Sequence, residues 1–296
     1  MIYYLITIPV AVVLGAAMGY LTKVLFAKFP EEWLQDYGVK ETDVNYRISK
    51  RMRLFPEAVV AMGVCAAMYV AAVIFCKGIY FDTPKPLHNA VIVLMVPVLV
   101  LIMMADKLNR IIPDQFSIAL GVIGLISIAA DLVEGSIWFT PDAPWYYPIV
   151  SKVGAALIGG GFLFLIGFLA LTFTGREGMG QGDMRLLLAT GLITGIYGLI
   201  ILVYVAIGTA VLFAIPLLIR KHIRIREEEE LIRNSKNPQK LRRALEIKKA
   251  RMHFADDPDY LAFGPFIALG CGVFAVMEPF FLEQLTTYLS GLGVFF

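Results

Sequence analysis

The chain has 296 residues, of which 58% are hydrophobic and only 17% are charged. Soluble domains carry roughly a quarter charged residues, so this composition excludes an ordinary soluble protein and predicts an all-α integral membrane protein. The net charge of +2 says little about partners, because in a membrane protein the distribution of Lys and Arg between the spans carries that information.

Disulfide-bonded and metal-binding classes are disfavoured as well. The three cysteines, Cys65, Cys76 and Cys271, form no Cys-x-x-Cys motif, and the three histidines are scattered. On a helix, Cys65 and Cys76 would lie about 16 Å apart along the axis, which is too far for a disulfide. We therefore predict buried, unbonded cysteines and no metal site.

Eight apolar segments are candidates for membrane helices, since about 20 apolar residues cross a bilayer. They are residues 2–25, 57–76, 88–106, 115–133, 149–173, 184–195, 197–219 and 262–282. The sixth segment is short and ends in a glycine-rich stretch, so its separation from the seventh needs independent support. A single span there would reverse the orientation of everything downstream.

The basic residues favour eight separate spans. With eight, all but three of the 26 Lys and Arg residues fall on one side, and the exceptions are Lys77, Lys85 and Lys152. Because loops rich in Lys and Arg stay in the cytoplasm, we predict a multi-pass plasma-membrane protein with both termini outside. The single membrane domain (1–296) would then have a first cytoplasmic loop over 26–56 and a charged cytoplasmic insertion over 220–260.

The two cytoplasmic loops differ in composition. The first mixes acids and bases and is interpreted as an interfacial connector with short amphipathic helices. In the insertion, the acids at 227–230 precede a basic run, which is typical of a solvated helix, and Asn237-Pro238 would break it into a hairpin. We expect its basic face to contact water or anionic lipid, and we expect no nucleic-acid partner.

Two acidic residues at the ends of spans form the candidate site. Asp183 closes the glycine-rich run 180–183 (Gly-Gln-Gly-Asp) and precedes the sixth span, whereas Asp106 ends the third span. Since two spans separate them, both reach the cytoplasmic leaflet, where an ionisable residue at the edge of a membrane helix indicates a functional site. Asp114 reaches the same face, but a helix N-cap explains it.

Two carboxylates that share one water can hydrolyse a peptide bond. The ionised one accepts a proton from the water while the protonated one donates a proton to the carbonyl oxygen. Asp183 lies near a helix N-terminus, which favours it as the base, and Asp106 lies near a C-terminus, which favours it as the acid, although Lys107 and Arg110 oppose the second assignment. Paired carboxylates also suit a proton-coupled transporter, and their spacing alone leaves both interpretations open.

Three segments together resemble the type IV prepilin peptidases, of the Gly-x-Gly-Asp class of intramembrane aspartyl proteases. They are the Asp106 segment with Ile112-Pro113, the run 180–186 (Gly-Gln-Gly-Asp-Met-Arg-Leu), and Phe263-Gly264-Pro265-Phe266 at the start of the last span. The eight-span layout agrees with this family. Within the same class, a preflagellin-like or presenilin-like protease with another membrane-helix substrate is the alternative.

The resemblance implies an aspartic endopeptidase that removes the basic leader of prepilins or pseudopilins at the cytoplasmic face, with Asp106 and Asp183 as the catalytic pair. A further set of residues is expected to support the active site: Gly180, Gly182, Arg185, Pro113, Phe263, Gly264 and Pro265. No metal or cofactor is expected for cleavage. The expected partners are the prepilin substrate, the lipid bilayer and pilus or secretion assembly proteins.

The chain departs from the family pattern in both cytoplasmic loops. Many members carry paired Cys-x-x-Cys motifs in the first loop and also N-methylate the new pilin N-terminus with S-adenosylmethionine. The first loop here has no cysteine, so we expect neither the associated zinc nor methyltransferase activity, and S-adenosylmethionine would be a cofactor only if methylation is retained. The insertion before Phe263 is also longer than the family pattern.

Overall fold

The structure is a computed structural model, and it describes residues 2–35, 42, 46–76, 85–140, 142–174, 180–235, 237–250 and 261–291. Within these ranges the chain is helical and contains no strand. Seven of the helices in this part are long and apolar enough to cross a membrane. The predicted all-α integral membrane fold is confirmed.

The helices of the described ranges are numbered here in chain order. They are α1 (Ile2–Lys28), α2 (Val59–Phe75), α3 (Pro86–Asn109), α4 (Asp114–Glu134), α5 (Tyr147–Thr174), α6 (Gln181–Arg233), α7 (Pro238–Ala250) and α8 (Gly264–Gly291). All except the short, polar α7 coincide with predicted spans. α6 covers two of those spans, the sixth and the seventh.

α6 consists of two helical arms joined at Gly195, where the backbone has φ +66° and ψ −177°. Such a conformation is open to glycine and costly for other residues. We call residues 181–194 the first arm and residues 196–233 the second arm. The second arm and α8 are antiparallel. Their contacts follow the order Gly198–Phe274, Leu202–Gly270 and Phe213–Phe266, so residue numbers rise along one helix as they fall along the other.

The chain therefore turns back at Gly195. α8 begins beside the start of the first arm, because Gly264 and Gly182 both lie against Ile112. The second arm, which is antiparallel to α8, is consequently antiparallel to the first arm as well. The two predicted spans are separate, which agrees with the eight-span interpretation. The first arm is only about 20 Å long, shorter than the roughly 30 Å hydrocarbon layer of a bilayer.

The central position in the bundle belongs to α3. In the most apolar 18-residue stretch of α3, half of the residues are buried. The corresponding share is 22% for α1 and for α5, which lie at the periphery. Since lipid supplies no hydrophobic drive between helices, small residues and close packing hold them together. A Cβ built on Gly15 of α1 would lie 2.4 Å from the Ala66 Cα of α2, so these two helices touch through their backbones. The three cysteines are buried and unbonded, as predicted.

The charged insertion predicted over 220–260 begins as a continuation of α6. Beyond the contact between Phe213 and Phe266, the second arm continues for about 20 residues to Arg233, or roughly 30 Å. The break predicted at Asn237-Pro238 is confirmed, since α7 begins at Pro238. Residues 251–260 lie outside the described residues.

The structure describes residues 26–35, 42 and 46–56 of the first loop, which was predicted over 26–56. In this part α1 continues to Lys28, a short turn of 3-10 helix follows at Glu31–Leu34, and a further helical turn begins at Leu54. Residues 46–53, which we call the first-loop segment, have no regular secondary structure. Its polar groups are bonded to α1, to the short turn and to α3, so this part of the loop is tied to the bundle.

Candidate active site

Asp106 lies in the last turn of α3 and is 5% exposed. The helix ends three residues later, where Arg110 adopts a left-handed conformation with φ 60° and donates its N–H to the Asp106 carbonyl at 2.9 Å. The end of a central, buried helix therefore holds this carboxyl group inside the bundle.

Asp183 lies in the first turn of α6 and is half-buried. Gly180 is the N-cap of this helix, with φ −65° and ψ 127°. A Cβ built on Gly180 would lie 3.3 Å from Asp183 Oδ2, so the missing side chain leaves room for the carboxylate. The start of a helix also carries partial positive charge, which stabilises an anion. Residues 177–179 of the glycine-rich stretch lie outside the described residues.

Ile112 joins the three predicted motifs. It is buried between two glycines that leave it no spare room. A Cβ on Gly182 would lie 3.0 Å from Ile112 Cβ, and a Cβ on Gly264 would lie 2.7 Å from Ile112 Cδ1 and 2.6 Å from Asp106 Oδ2. Glycine is required at 264 because a methyl group there would occupy the space of the Asp106 carboxylate. The Asp106 segment, the run 180–186 and the start of α8 thus meet at one point.

At this junction Asp106 Oδ2 lies against Gly264, and Asp183 directly follows Gly182, which lies against Ile112, so the two acids are neighbours. In the ranges that the structure describes, neither carboxylate forms an ion pair. The Gly264 N–H is directed at the Asp106 carboxylate, and Arg110 attracts it at longer range. Two neighbouring acids that are not paired with basic side chains can share one proton between them.

Arg185 forms an ion pair with Asp114. Asp114 is the first residue of α4, whose N-cap is the buried Pro113, and no side-chain capping bond is present there. The N-cap interpretation of Asp114 is therefore wrong. Its carboxylate instead links the start of α4 to the first arm of α6, so Arg185 fixes the helix that carries Asp183 from two residues away.

Phe263 and Pro265 flank Gly264 at the start of α8. The Phe263 ring packs 6.4 Å from that of Phe266, which in turn packs 5.6 Å from that of Phe213. Pro265 occupies the first turn of α8, where its missing N–H costs no hydrogen bond. These residues seat the start of α8 against the second arm and so hold Gly264 in place.

A network of charged side chains lies at the opposite end of the bundle, and it was not predicted from the sequence. His88 Nε2 lies 3.0 Å from Asp131 Oδ1, and His88 Nδ1 lies 2.7 Å from Glu134 Oε2. Lys152 Nζ lies 2.7 Å from Asp131 Oδ2 and donates to Ser127 Oγ at 2.6 Å. Lys152 falls inside the predicted fifth span, so the rule that a charge within a span needs a partner would have singled it out.

Over the described residues, no group of three or more His, Cys, Asp or Glu side chains is arranged to hold a metal ion. The expectation that no metal takes part in cleavage stays a prediction.

Residues 92–215 match the model of the type IV leader peptidase family. This stretch is under half of the chain, but it contains Asp106, Pro113 and the whole run 180–186. The predicted resemblance to type IV prepilin peptidases is confirmed.

A curated relative, the prepilin leader peptidase/N-methyltransferase of Xanthomonas campestris pv. campestris, is 28% identical over 101 residues. The aligned part is 34% of this chain and 31% of the relative, so the chain matches about a third of the relative's length. No solved structure matches the chain.

Proposed function

We propose that this protein is an intramembrane aspartic endopeptidase that removes the leader of type IV prepilins or pseudopilins, with Asp106 and Asp183 as its catalytic pair. The observation that carries the proposal is that the segments carrying Asp106 and Asp183 meet the start of α8 at Ile112 and Gly264. The family match over 92–215, which includes both acids, supports the substrate class.

The proposed chemistry needs one ionised and one protonated carboxyl group. Asp183, at the start of α6, accepts a proton from the attacking water, and Asp106, at the end of α3, donates its proton to the carbonyl oxygen as the C–O bond forms. When the tetrahedral intermediate collapses, the proton held by Asp183 passes to the departing amine and Asp106 recovers its own. The enzyme returns to its starting state without a metal or a cofactor.

The proposed substrate has a basic leader followed by an apolar helix. The basic leader stays with the cytoplasm and the anionic headgroups, so its cleavage site would lie at the cytoplasmic leaflet of the plasma membrane. In this topology Asp106 and Asp183 face the cytoplasm. The bare backbone at Gly180 and Gly182 would let an extended peptide approach the acids closely.

Our proposal is limited to proteolysis. The first loop has no cysteine, and we infer that this chain does not N-methylate its product and uses no S-adenosylmethionine. Mass spectrometry of the mature pilin N-terminus tests this point, because a methyl group that depends on this protein would overturn it. Pilus or secretion assembly proteins are proposed as further partners.

The test of the catalytic pair replaces each acid separately, as Asp106→Asn and Asp183→Asn, and follows leader removal from a co-expressed prepilin. Each variant should lose cleavage by at least about 1,000-fold, since a carboxamide can neither accept nor donate the required proton. The matched control is Asp142→Asn, an exposed acid in the loop between α4 and α5, which should cleave normally. Normal cleavage by either active-site variant would refute the proposal.

A further inference from the structure

Asn109 ends α3 three residues after Asp106, and it is buried. The Lys50 backbone N–H donates to Asn109 Oδ1 at 2.8 Å, and Asn109 Nδ2 donates to the Lys50 carbonyl at 3.1 Å. One side-chain amide therefore pairs with both backbone groups of one residue, the N–H and the carbonyl of Lys50, as a residue on a neighbouring strand would. The last residue of α3 is thereby bonded to the first-loop segment (46–53).

The first-loop segment has a second anchor at Arg51. Arg51 Nη1 donates to the carbonyls of Phe26, at 3.1 Å, and of Phe29, at 2.8 Å, and Nη2 lies 2.6 Å from Glu31 Oε2. These carbonyls lie at the end of α1, where backbone acceptors have no partner within the helix. The segment thus connects the end of α1 to the end of α3. A shift of its backbone at Lys50 would break either the bonds to Asn109 or the bonds that Arg51 makes at the end of α1.

The turn that Asn109 holds is the turn that carries Asp106. Final turns of helices fray because their carbonyls lack partners, and α3 ends directly after Asn109 at the left-handed Arg110. A change in this turn would move the Asp106 carboxyl away from Asp183. Displacing a reacting group by about 1 Å can lower a rate by about 100-fold.

We propose that Asn109 is a positioning residue for proteolysis, which sets Asp106 against Asp183 by pairing with the Lys50 backbone. This inference rests on the proposed function. Asn109 acts through Asp106, since it is buried and its amide oxygen and nitrogen are both bonded to Lys50. The first loop, in this view, is part of the structure that holds the active site together.

The experiment measures kcat and KM for leader cleavage by the purified full-length protein, with a purified prepilin in detergent. Asn109→Ala should lower kcat by about 10- to 100-fold and leave KM unchanged. The matched control is Asn89→Ala, which changes the same residue type in the same helix at its opposite end and should leave kcat unchanged. The amount of folded protein is equalised by gel filtration before the assay.

A second variant, Lys50→Pro, removes the N–H that Asn109 accepts while leaving Asn109 in place. It should lower kcat in the same way and keeps the inference testable if Asn109→Ala does not fold. Combining Asn109→Ala with Arg51→Ala should lower kcat by less than the product of the two single effects, because both act through one segment.

Two results would overturn the inference. An unchanged kcat in Asn109→Ala or Lys50→Pro would show that the pairing does not position Asp106, and a raised KM with unchanged kcat would assign the segment to substrate binding instead. Asp106→Asn in the same assay separates the two proposals. If that variant is inactive while Asn109→Ala is normal, only the positioning role fails, whereas cleavage by Asp106→Asn removes the proposed function itself.

Discussion

Asp131 and Lys152 at one end of the bundle are almost as deeply buried as Asp106 at the other, at 9%, 7% and 5% exposure. We call the end with His88, Asp131 and Lys152 the histidine end and the end with Asp106 and Asp183 the aspartate end. The two ends are about 27 Å apart along α3. At the histidine end every charged group lies against an opposite charge or a hydrogen-bonding partner.

The aspartate end is built differently. Its two acids lie on segments that meet at Ile112, and among the described residues neither acid forms an ion pair. Arg185, which is nearby, is bonded to Asp114 instead. Burying like charges together is unfavourable for folding, so the fold retains it only where the surrounding packing is strong. We therefore expect the histidine end to stabilise the bundle and, under the proposed function, the aspartate end to carry out the chemistry.

The variant Asp131→Asn gives the strongest test of this difference between the two ends. The change leaves Lys152 buried without a counter-charge, whereas His88 keeps its contact with Glu134. Breaking a buried ion pair costs about 3–5 kcal/mol. We expect Tm in detergent to fall markedly, while leader cleavage per folded molecule stays normal. Asp183→Asn should do the reverse, abolishing cleavage without lowering Tm.

The control for this prediction is again Asp142→Asn, which should change neither quantity because the side chain is exposed. An Asp131→Asn variant with the Tm of the unchanged protein would show that the network does not stabilise the bundle. An Asp131→Asn variant that folds normally but no longer cleaves would show that the histidine end is needed for catalysis, and the two ends would then not differ in role.

A smaller effect is expected from Gly264→Ala at the aspartate end. The new Cβ would lie 2.6 Å from Asp106 Oδ2 and 2.7 Å from Ile112 Cδ1. Overpacking of this kind costs about 1–3 kcal/mol, and the displaced carboxylate should lower kcat by about 10- to 100-fold. Kinetics and thermal unfolding of the same preparation measure both.

Gly161→Ala is the matched control, since a Cβ at Gly161 in α5 meets nothing within 4 Å. This variant should keep full activity, and its stability should rise slightly because alanine favours helix over glycine by about 1 kcal/mol. Equal activity in the two variants would mean that the Asp106 carboxylate does not need the space that Gly264 leaves.

Much of this arrangement follows from the sequence. Hydrophobic length and the distribution of Lys and Arg predicted that residues 184–195 and 197–219 are separate spans, and the chain indeed turns at Gly195. The pairing of Asp106 with Asp183 also follows, because an even number of spans returns the chain to the same side. These features depend on local composition and on counting, which a single sequence contains.

Other features depend on contacts that no local pattern records. Arg185 was expected beside the active-site turn, but which acid it would bond could not be read from its position, and Asp114 matched a helix N-cap equally well. Asn109 follows Asp106 in a polar run, and nothing in that run indicates that it pairs with Lys50, 59 residues earlier. Such long-range polar pairs are fixed by packing and not by periodicity.

The smallest expected effect concerns the anchor of the first-loop segment. Burial by itself would raise the pKa of Glu31, but hydrogen bonds from the Ser49 backbone and side chain, from Gln35 and from Arg51 outweigh it and lower the pKa to about 2. A carboxyl group whose pKa is lower in the folded state stabilises that state above its unfolded pKa. The stabilisation disappears as the pH falls from about 4.5 towards 2.

Glu31→Gln should therefore have a lower Tm than the unchanged protein at neutral pH, and the difference should shrink as the pH falls through this range. The effect is small because Glu31 is 28% exposed and solvent screens its charge. Glu32→Gln, at the exposed neighbouring position, is the control and should give no such pH dependence. A difference in Tm that stays constant down to about pH 2 would mean that the charge of Glu31 does not hold the segment, and the Asn109–Lys50 pairing would then be its principal anchor.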